Sequence, residues 1–283
     1  MVRGVVPRQP AKTGRQEGAR SMPRGGQSRG ASRELVRKGG RATPQRDGAK
    51  GRKSAKKAGY NPVAPERIQE ILKRLNQLYP DVTCALTHKT AWELLVATIL
   101  SAQSTDVNVN RVTPALFQKY PTVEAFAAIT PEELEPEVRS TGFFRNKSKS
   151  VVGAAKKVVA DFGGQVPMEM DQLLTLPGVA RKTANVVLGT WFKKAEGLVV
   201  DTHVTRIARR LELTKNTDPA KIEQDLMKVI PREKWILFAH QLIWHGRKLC
   251  TARSPKCVDC PLENICHAGD KTWSTVEIHK NAK

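Results

Sequence analysis

The stretch Leu176-Pro177-Gly178-Val179-Ala180-Arg181-Lys182-Thr183-Ala184-Asn185-Val186-Val187-Leu188 decides how this chain folds. Asp171–Leu176 before it reads as a short helix, and a second helix starts at Arg181. Pro-Gly at the junction makes a tight turn, with Gly178 free to take backbone angles closed to other residues. Val179 is expected to pack between the two helices and set their angle. Amides at the start of the second helix point outward, where the helix dipole helps them hold a phosphate. Gly178, Ala180 and Arg181 are therefore candidate contacts to nucleic acid, with the basic Lys182 directly beyond. The turn alone leaves both readings open, because plain helix–turn–helix packing uses the same Pro-Gly junction.

On either side of this hairpin, apolar residues recur at helical spacing. Glu66–Tyr79 places Ile68, Ile71, Leu72, Leu75 and Leu78 on one face and ends before Pro80. Ala91–Ser101 is apolar nearly all round, as in a helix buried in a core. Ser148–Phe162 keeps the period until Gly163-Gly164 stops it. Thr202–Leu213, Pro219–Ile230 and Glu233–Leu249 follow the same rule, and no sustained alternating run suggests a sheet. The fold class is all-α.

The formal net charge is +21, and it is unevenly spread. Residues 1–60 hold 17 Lys+Arg against 3 Asp+Glu, with eleven glycines and few large apolar side chains. Such a segment cannot bury enough surface to offset its ordering entropy, so it reads as a disordered basic tail. It serves as a flexible arm that raises DNA affinity, as an organellar transit peptide, or as sequence ahead of a second start at Met22. The excess of positive charge suits a polyanion, whose counterions it releases. No apolar run approaches the roughly 18–20 residues of a membrane span, so the expectation is a soluble protein. In a bacterium that means the cytoplasm, in association with the nucleoid.

Two further patterns carry chemistry. Val199-Val200-Asp201-Thr202-His203-Val204 sets a carboxylate between an apolar pair and a helix. Asp201 is there as a helix N-cap, as a carboxylate facing a pocket beside Lys182, or as both. His203 either helps to position it or is satisfied by backbone. Near the end, Cys250, Cys257, Cys260 and Cys266 form Cys-x6-Cys-x2-Cys-x5-Cys. Secreted disulfides are not expected, since no signal peptide precedes them and Cys84 would be left over. Zinc ribbons usually show two Cys-x2-Cys knuckles, so iron–sulfur ligation suits the spacing better, with zinc or an unligated cluster as alternatives. Cys84 reads as an inert core thiol.

The hairpin, the VDTHV segment and the four-cysteine pattern together resemble the endonuclease III family, bifunctional glycosylase/lyases of the helix–hairpin–helix superfamily. Leu100–Asn110 (LSAQSTDVNVN) and Thr141–Ser150 (TGFFRNKSKS) resemble it too, so the likeness runs from about residue 62 to 270. One departure stands out: Ala180 replaces the second glycine of the usual LPGVGR. A methyl there crowds the phosphate or shifts the backbone, but a helix-opening position favours Ala, so tolerance is expected.

The resemblance implies a helix–hairpin–helix DNA glycosylase fold of two helical domains flanking a DNA-binding cleft. A six-helix barrel would occupy residues 84–195. An iron–sulfur cluster domain would combine 62–83 with 196–270, leaving 271–283 as a C-terminal tail. It implies a [4Fe–4S] cluster on the four cysteines, Lys182 as catalytic nucleophile and Asp201 as catalytic carboxylate. Gln103 would fill the gap left by a flipped nucleotide, and Arg253 and Lys256 would meet phosphates from a loop pinned by the cluster. Without the resemblance, Gln103 is an ordinary loop amide, and Asp106 is a pocket carboxylate or a helix cap.

The implied partner is double-stranded DNA with damaged bases or abasic sites, bound by a monomer. The implied reaction is base excision of oxidised pyrimidines, followed by β-elimination 3′ to the abasic site. A lysine amine attacks only when neutral, so the site must supply that form through burial or nearby positive charge. Two alternatives remain at this point: a monofunctional glycosylase of the same superfamily, and a non-catalytic hairpin module that binds DNA. The former usually lacks a lysine where Lys182 stands, and the latter has no need of the Lys182–Asp201 pair.

Overall fold

A computed structural model describes residues 59–272, and every regular element among them is helical. The expected basic tail, all but its last two residues, and residues 273–283 of the expected C-terminal tail lie outside this range.

The first helix, α1 (Pro65–Leu78), starts on a proline, whose missing amide costs nothing in the first turn. It buries Ile68, Ile71 and Leu75. In α2 (Ala91–Leu100), eight of ten residues are buried, which makes it a central rod rather than a surface helix. Thr90 caps it by accepting the Glu93 amide at 3.1 Å. Three helices follow that periodicity did not single out: α3 (Asp106–Lys119), α4 (Val123–Ala127) and α5 (Pro131–Val138). Pro114 and Pro136 interrupt α3 and α5, and α4 is little more than one turn, so none displays a long apolar stripe. Their starts were nevertheless written in the chain, because Thr105, Thr122 and Thr130 each cap the helix that follows.

The long α6 (Phe144–Phe162) begins four residues before the expected Ser148 and ends at Gly163 in the left-handed region. Then come α7 (Met170–Leu173), α8 (Arg181–Thr190), α9 (Thr202–Arg210), α10 (Pro219–Val229) and α11 (Trp235–Lys248). α9 stops short of the expected Leu213, and Glu212 takes φ +56° just after it. The expected Glu233 start of α11 is instead a 3-10 turn over Arg232–Lys234.

Packing sorts the helices into two groups. α6 lies against α2, α4 and α5, while α2 also touches α3 and α8, and α7 touches α8. In the second group, α11 packs on α1 and α9, and α9 on α10. One continuous apolar core, from Ile68 to Leu262, runs through both groups. Cys84, outside the four-cysteine pattern, packs at its margin, and burial pushes its thiol up.

Phe126 on α4 centres an aromatic cluster, with ring centroids 5.6 Å from Trp92, 6.4 Å from Phe117 and 5.4 Å from Tyr120. It is fully buried. Phe126→Ala is expected to lower unfolding free energy by about 3–5 kcal/mol, read from the urea midpoint at constant slope.

Candidate active site and cluster pocket

The hairpin expected from Leu176–Lys182 is present, and its geometry has a clear cause. Gly178 sits at φ +77°, and a Cβ built there would lie 2.5 Å from the Ser150 Cβ on α6. Both backbone angle and neighbour therefore demand glycine. The Pro177 ring packs on Gly153, where an added Cβ would come within 3.2 Å of the ring. Val179 is buried. Ala180 is the N-cap of α8, at φ −93° and ψ 169°, with its methyl exposed. It lies just before the helix rather than inside it, so extended backbone, not helix propensity, explains why a glycine is dispensable there. No side chain caps α8, leaving its first amides for solvent or a ligand.

Lys182 stands exposed on that first turn and makes no ion pair or hydrogen bond among the described residues. The burial expected around its amine is not supplied by the protein's own residues among those described. Its neighbour Arg181 is held by Glu223 of α10, with Nε 2.9 Å from Oε2. Asp201 caps α9: its Oδ1 accepts the Val204 amide at 2.8 Å, and Oδ2 has no hydrogen bond among the described residues. His203 does not bond Asp201. Its Nδ1 lies 3.2 Å from Arg206 Nη2, and burial pushes its pKa down. Asp106 is neither a cap nor a free pocket carboxylate, since Thr105 caps α3 and Asp106 accepts Arg247 Nη2 at 2.6 Å.

Gln103 lies exposed in the loop after α2, at φ +53°. Phe143, within the Thr141–Ser150 segment, carries no role that its local sequence reveals. It is 63% exposed at φ +48°, a costly conformation for a bulky residue. The two strained loops are stapled together. Lys147, almost fully buried, donates from Nζ to Leu100 O at 2.8 Å and to Thr141 O at 2.7 Å. Asn108 adds Nδ2 bonds to Ser104 Oγ at 3.1 Å and Ser140 O at 2.9 Å. Burial holds the Lys147 ammonium below the usual lysine range. The only advance signals for this pair were the polar run after α2 and the Gly-Phe-Phe triplet.

Cys250, Cys257, Cys260 and Cys266 line one pocket between α9 and the end of α11. Among the described residues, no three His, Cys, Asp or Glu are arranged to share a single metal ion. Four thiols that line one common space are a donor set that fits an iron–sulfur cluster. Arg210 donates Nη1 to Cys250 Sγ at 3.2 Å and to Thr251 O at 2.7 Å. Burial, with smaller repulsion from the other cysteines, pushes the Cys260 thiol up to about 11. Four thiolates there accordingly need a strongly cationic occupant. In the loop they bound, Thr251 Oγ1 donates to Arg253 O at 2.8 Å, and the Arg253 and Lys256 side chains are exposed.

Residues 96–232 match the HhH-GPD superfamily of base excision DNA repair proteins, and residues 250–266 match the iron–sulfur binding domain of endonuclease III. The class is therefore a helix–hairpin–helix DNA repair glycosylase. Endonuclease III of Synechocystis sp. is 55% identical over 71% of this chain and 92% of its own length. That of Bacillus subtilis is 42% identical over 73% and 94%, and that of Escherichia coli 36% over 71% and 95%. A non-covalent endonuclease III–DNA complex superposes with a TM-score of 0.69 at 41% identity, covering 72% of this chain and 95% of that one. A trapped endonuclease III–DNA covalent intermediate gives 0.69 at 40% identity, over 72% and 96%. A thermostable thymine-DNA glycosylase, 21% identical with a TM-score of 0.63, shares the fold.

The chain belongs to the endonuclease III family. It is a base excision repair DNA glycosylase with lyase activity at abasic sites, and its cofactor is a [4Fe–4S] cluster. This sets aside zinc, the monofunctional glycosylase and the non-catalytic module.

Cys260→Ser is expected to bleach the cluster's visible absorbance and to lower both iron content and the thermal midpoint. Lys147→Met leaves two loop carbonyls unsatisfied. It should lower stability by about 2 kcal/mol and speed amide exchange in residues 101–105 and 141–143.

Proposed function

We propose that Lys182 is the nucleophile and Asp201 the carboxylate partner in excision of oxidised pyrimidines from double-stranded DNA. The observation that carries this reading is an exposed lysine, free of any acid partner, on the first turn of an uncapped helix whose hairpin is locked onto α6. An ion pair with Asp201 would favour the ammonium, and none is present among the described residues. Because Lys182 is exposed in the free protein, DNA itself supplies the desolvation that favours the neutral amine. The hairpin amides, Arg181, Arg253 and Lys256 meet phosphates on either side of the lesion.

The target nucleotide leaves the stack at a cost of a few kcal/mol, less for a base that already stacks badly. Gln103 and Phe143 enter the gap, and their strained backbones hold them ready for it. Lys182 Nζ then attacks C1′ and the glycosidic bond breaks, its electron pair leaving with the base, which takes up a proton. The sugar ring opens to a Schiff base, and loss of a C2′ proton expels the 3′ phosphate. Asp201 stabilises the positive charge that grows on the sugar and assists proton transfer through Oδ2, while Oδ1 stays on the Val204 amide.

The four cysteines hold the cluster, whose iron–thiolate bonds pin the loop that presents Arg253 and Lys256. The helix groups support a division into a barrel over 84–195 and a cluster domain of 62–83 with 196–270, with the DNA cleft between them. The enzyme works as a monomer. No helix among the described residues is long and apolar enough to cross a membrane, and the relatives named above are bacterial, which supports work on the nucleoid.

Borohydride trapping on a duplex with one thymine glycol tests the assignment. Wild type is expected to form a covalent adduct, and Lys182→Ala to lose it with a rate drop on the order of 10³-fold or more. Asp201→Asn retains the helix cap, so it should fold normally yet excise about 10²–10⁴-fold more slowly. An adduct that survives in Lys182→Ala would place the nucleophile elsewhere.

A further inference from the structure

Arg181, the residue before Lys182, is tied to a buried carboxylate to which the proposed excision steps give no role. Glu223 on α10 is 6% exposed. Its Oε1 accepts Asn185 Nδ2 at 2.9 Å, and its Oε2 accepts Arg181 Nε at 2.9 Å. Both partners lie on α8, four residues apart and so on one face. A third element closes the site: a Cβ on Gly197 would collide with Glu223 Oε1, and would lie 2.6 Å from Asn185 Nδ2. Four residues after Gly197 the chain reaches Asp201.

A carboxylate withdrawn from water persists only where hydrogen bonds and a countercharge compensate it. Asn185 by itself would tie α10 to α8, so the arginine has a further use. Its side chain is 48% exposed, and its two terminal nitrogens make no hydrogen bond among the described residues. A guanidinium gripped at Nε, with its outer donors unused, is a fork already oriented for a phosphate. Holding it in advance removes rotamer freedom that would otherwise be lost on binding.

We infer that Glu223 is a positioning residue that presents Arg181 to a phosphate of the DNA strand held by the hairpin. The inference rests on the reading of the hairpin and Lys182 as the DNA-facing surface.

The test is binding of the full chain to a duplex carrying a tetrahydrofuran abasic analogue, followed by anisotropy across a range of salt. That analogue cannot open to a Schiff base, so the result is independent of Lys182 chemistry. Failure of the nucleophile assignment would appear only in borohydride trapping. Arg181→Gln is expected to weaken binding about tenfold and to reduce the salt slope by about one contact's worth. Glu223→Gln should weaken binding about threefold with the slope nearly unchanged, because Arg181 remains but is no longer aimed.

In the Arg181→Gln background, Glu223→Gln should then have no further effect on binding. Two outcomes overturn the inference: Arg181→Gln leaving affinity and slope unchanged, or Glu223→Gln weakening binding equally in both backgrounds. Should Glu223→Gln melt below the assay temperature, Glu223→Asp replaces it, and the same non-additivity is required.

Discussion

Burial of α2 on every side is the constraint from which the rest of the molecule hangs. With eight of ten residues out of water, Ala91–Leu100 cannot slide or rotate without exposing apolar surface somewhere. α3, α6 and α8 all lie against it. Its C-terminal end delivers the chain into the loop that carries Gln103, while the neighbouring α8 carries Lys182 on its first turn. A fixed central rod therefore positions both the Gln103 loop and the first turn of α8.

Around that apolar framework, a few buried polar groups set the details. Lys147 holds the carbonyls of Leu100 and Thr141, so the loops of Gln103 and Phe143 share one anchor. Glu223 holds Arg181 and Asn185, and Arg206 holds the Cys250 carbonyl at 2.9 Å. Apolar contact fills space without specifying direction, whereas a charged group desolvated in a protein has few arrangements that satisfy it. These ties sit where separate helices and loops meet, so they fix direction where apolar packing alone does not.

Much of this was legible in the chain itself. The long, strongly periodic helices fell within a few residues of their expected spans, because one apolar face per helix is a local signal. Gly178 could be assigned to its turn from the Pro-Gly pair, and Asp201 to its cap from its place before THV. The helices α3 to α5 were harder, since proline interrupts two and the third is a single turn. Asp106 illustrates the limit: Thr105 rather than Asp106 caps α3, and Asp106 pairs with Arg247, 141 residues away.

The sequence by itself determined an all-helical protein, a Pro-Gly hairpin between two helices and a group of four closely spaced cysteines. Each of these is encoded in residue type and short spacing. Only the tertiary structure decided that Lys182 is exposed and unpaired among the described residues, that Phe143 is strained and presented beside the Gln103 loop, and that Glu223 reaches across to Arg181. Those facts depend on which distant surfaces meet when the core closes. Apolar burial leaves a periodic trace in the sequence, but the choice of distant polar partners is a property of that closure and leaves none.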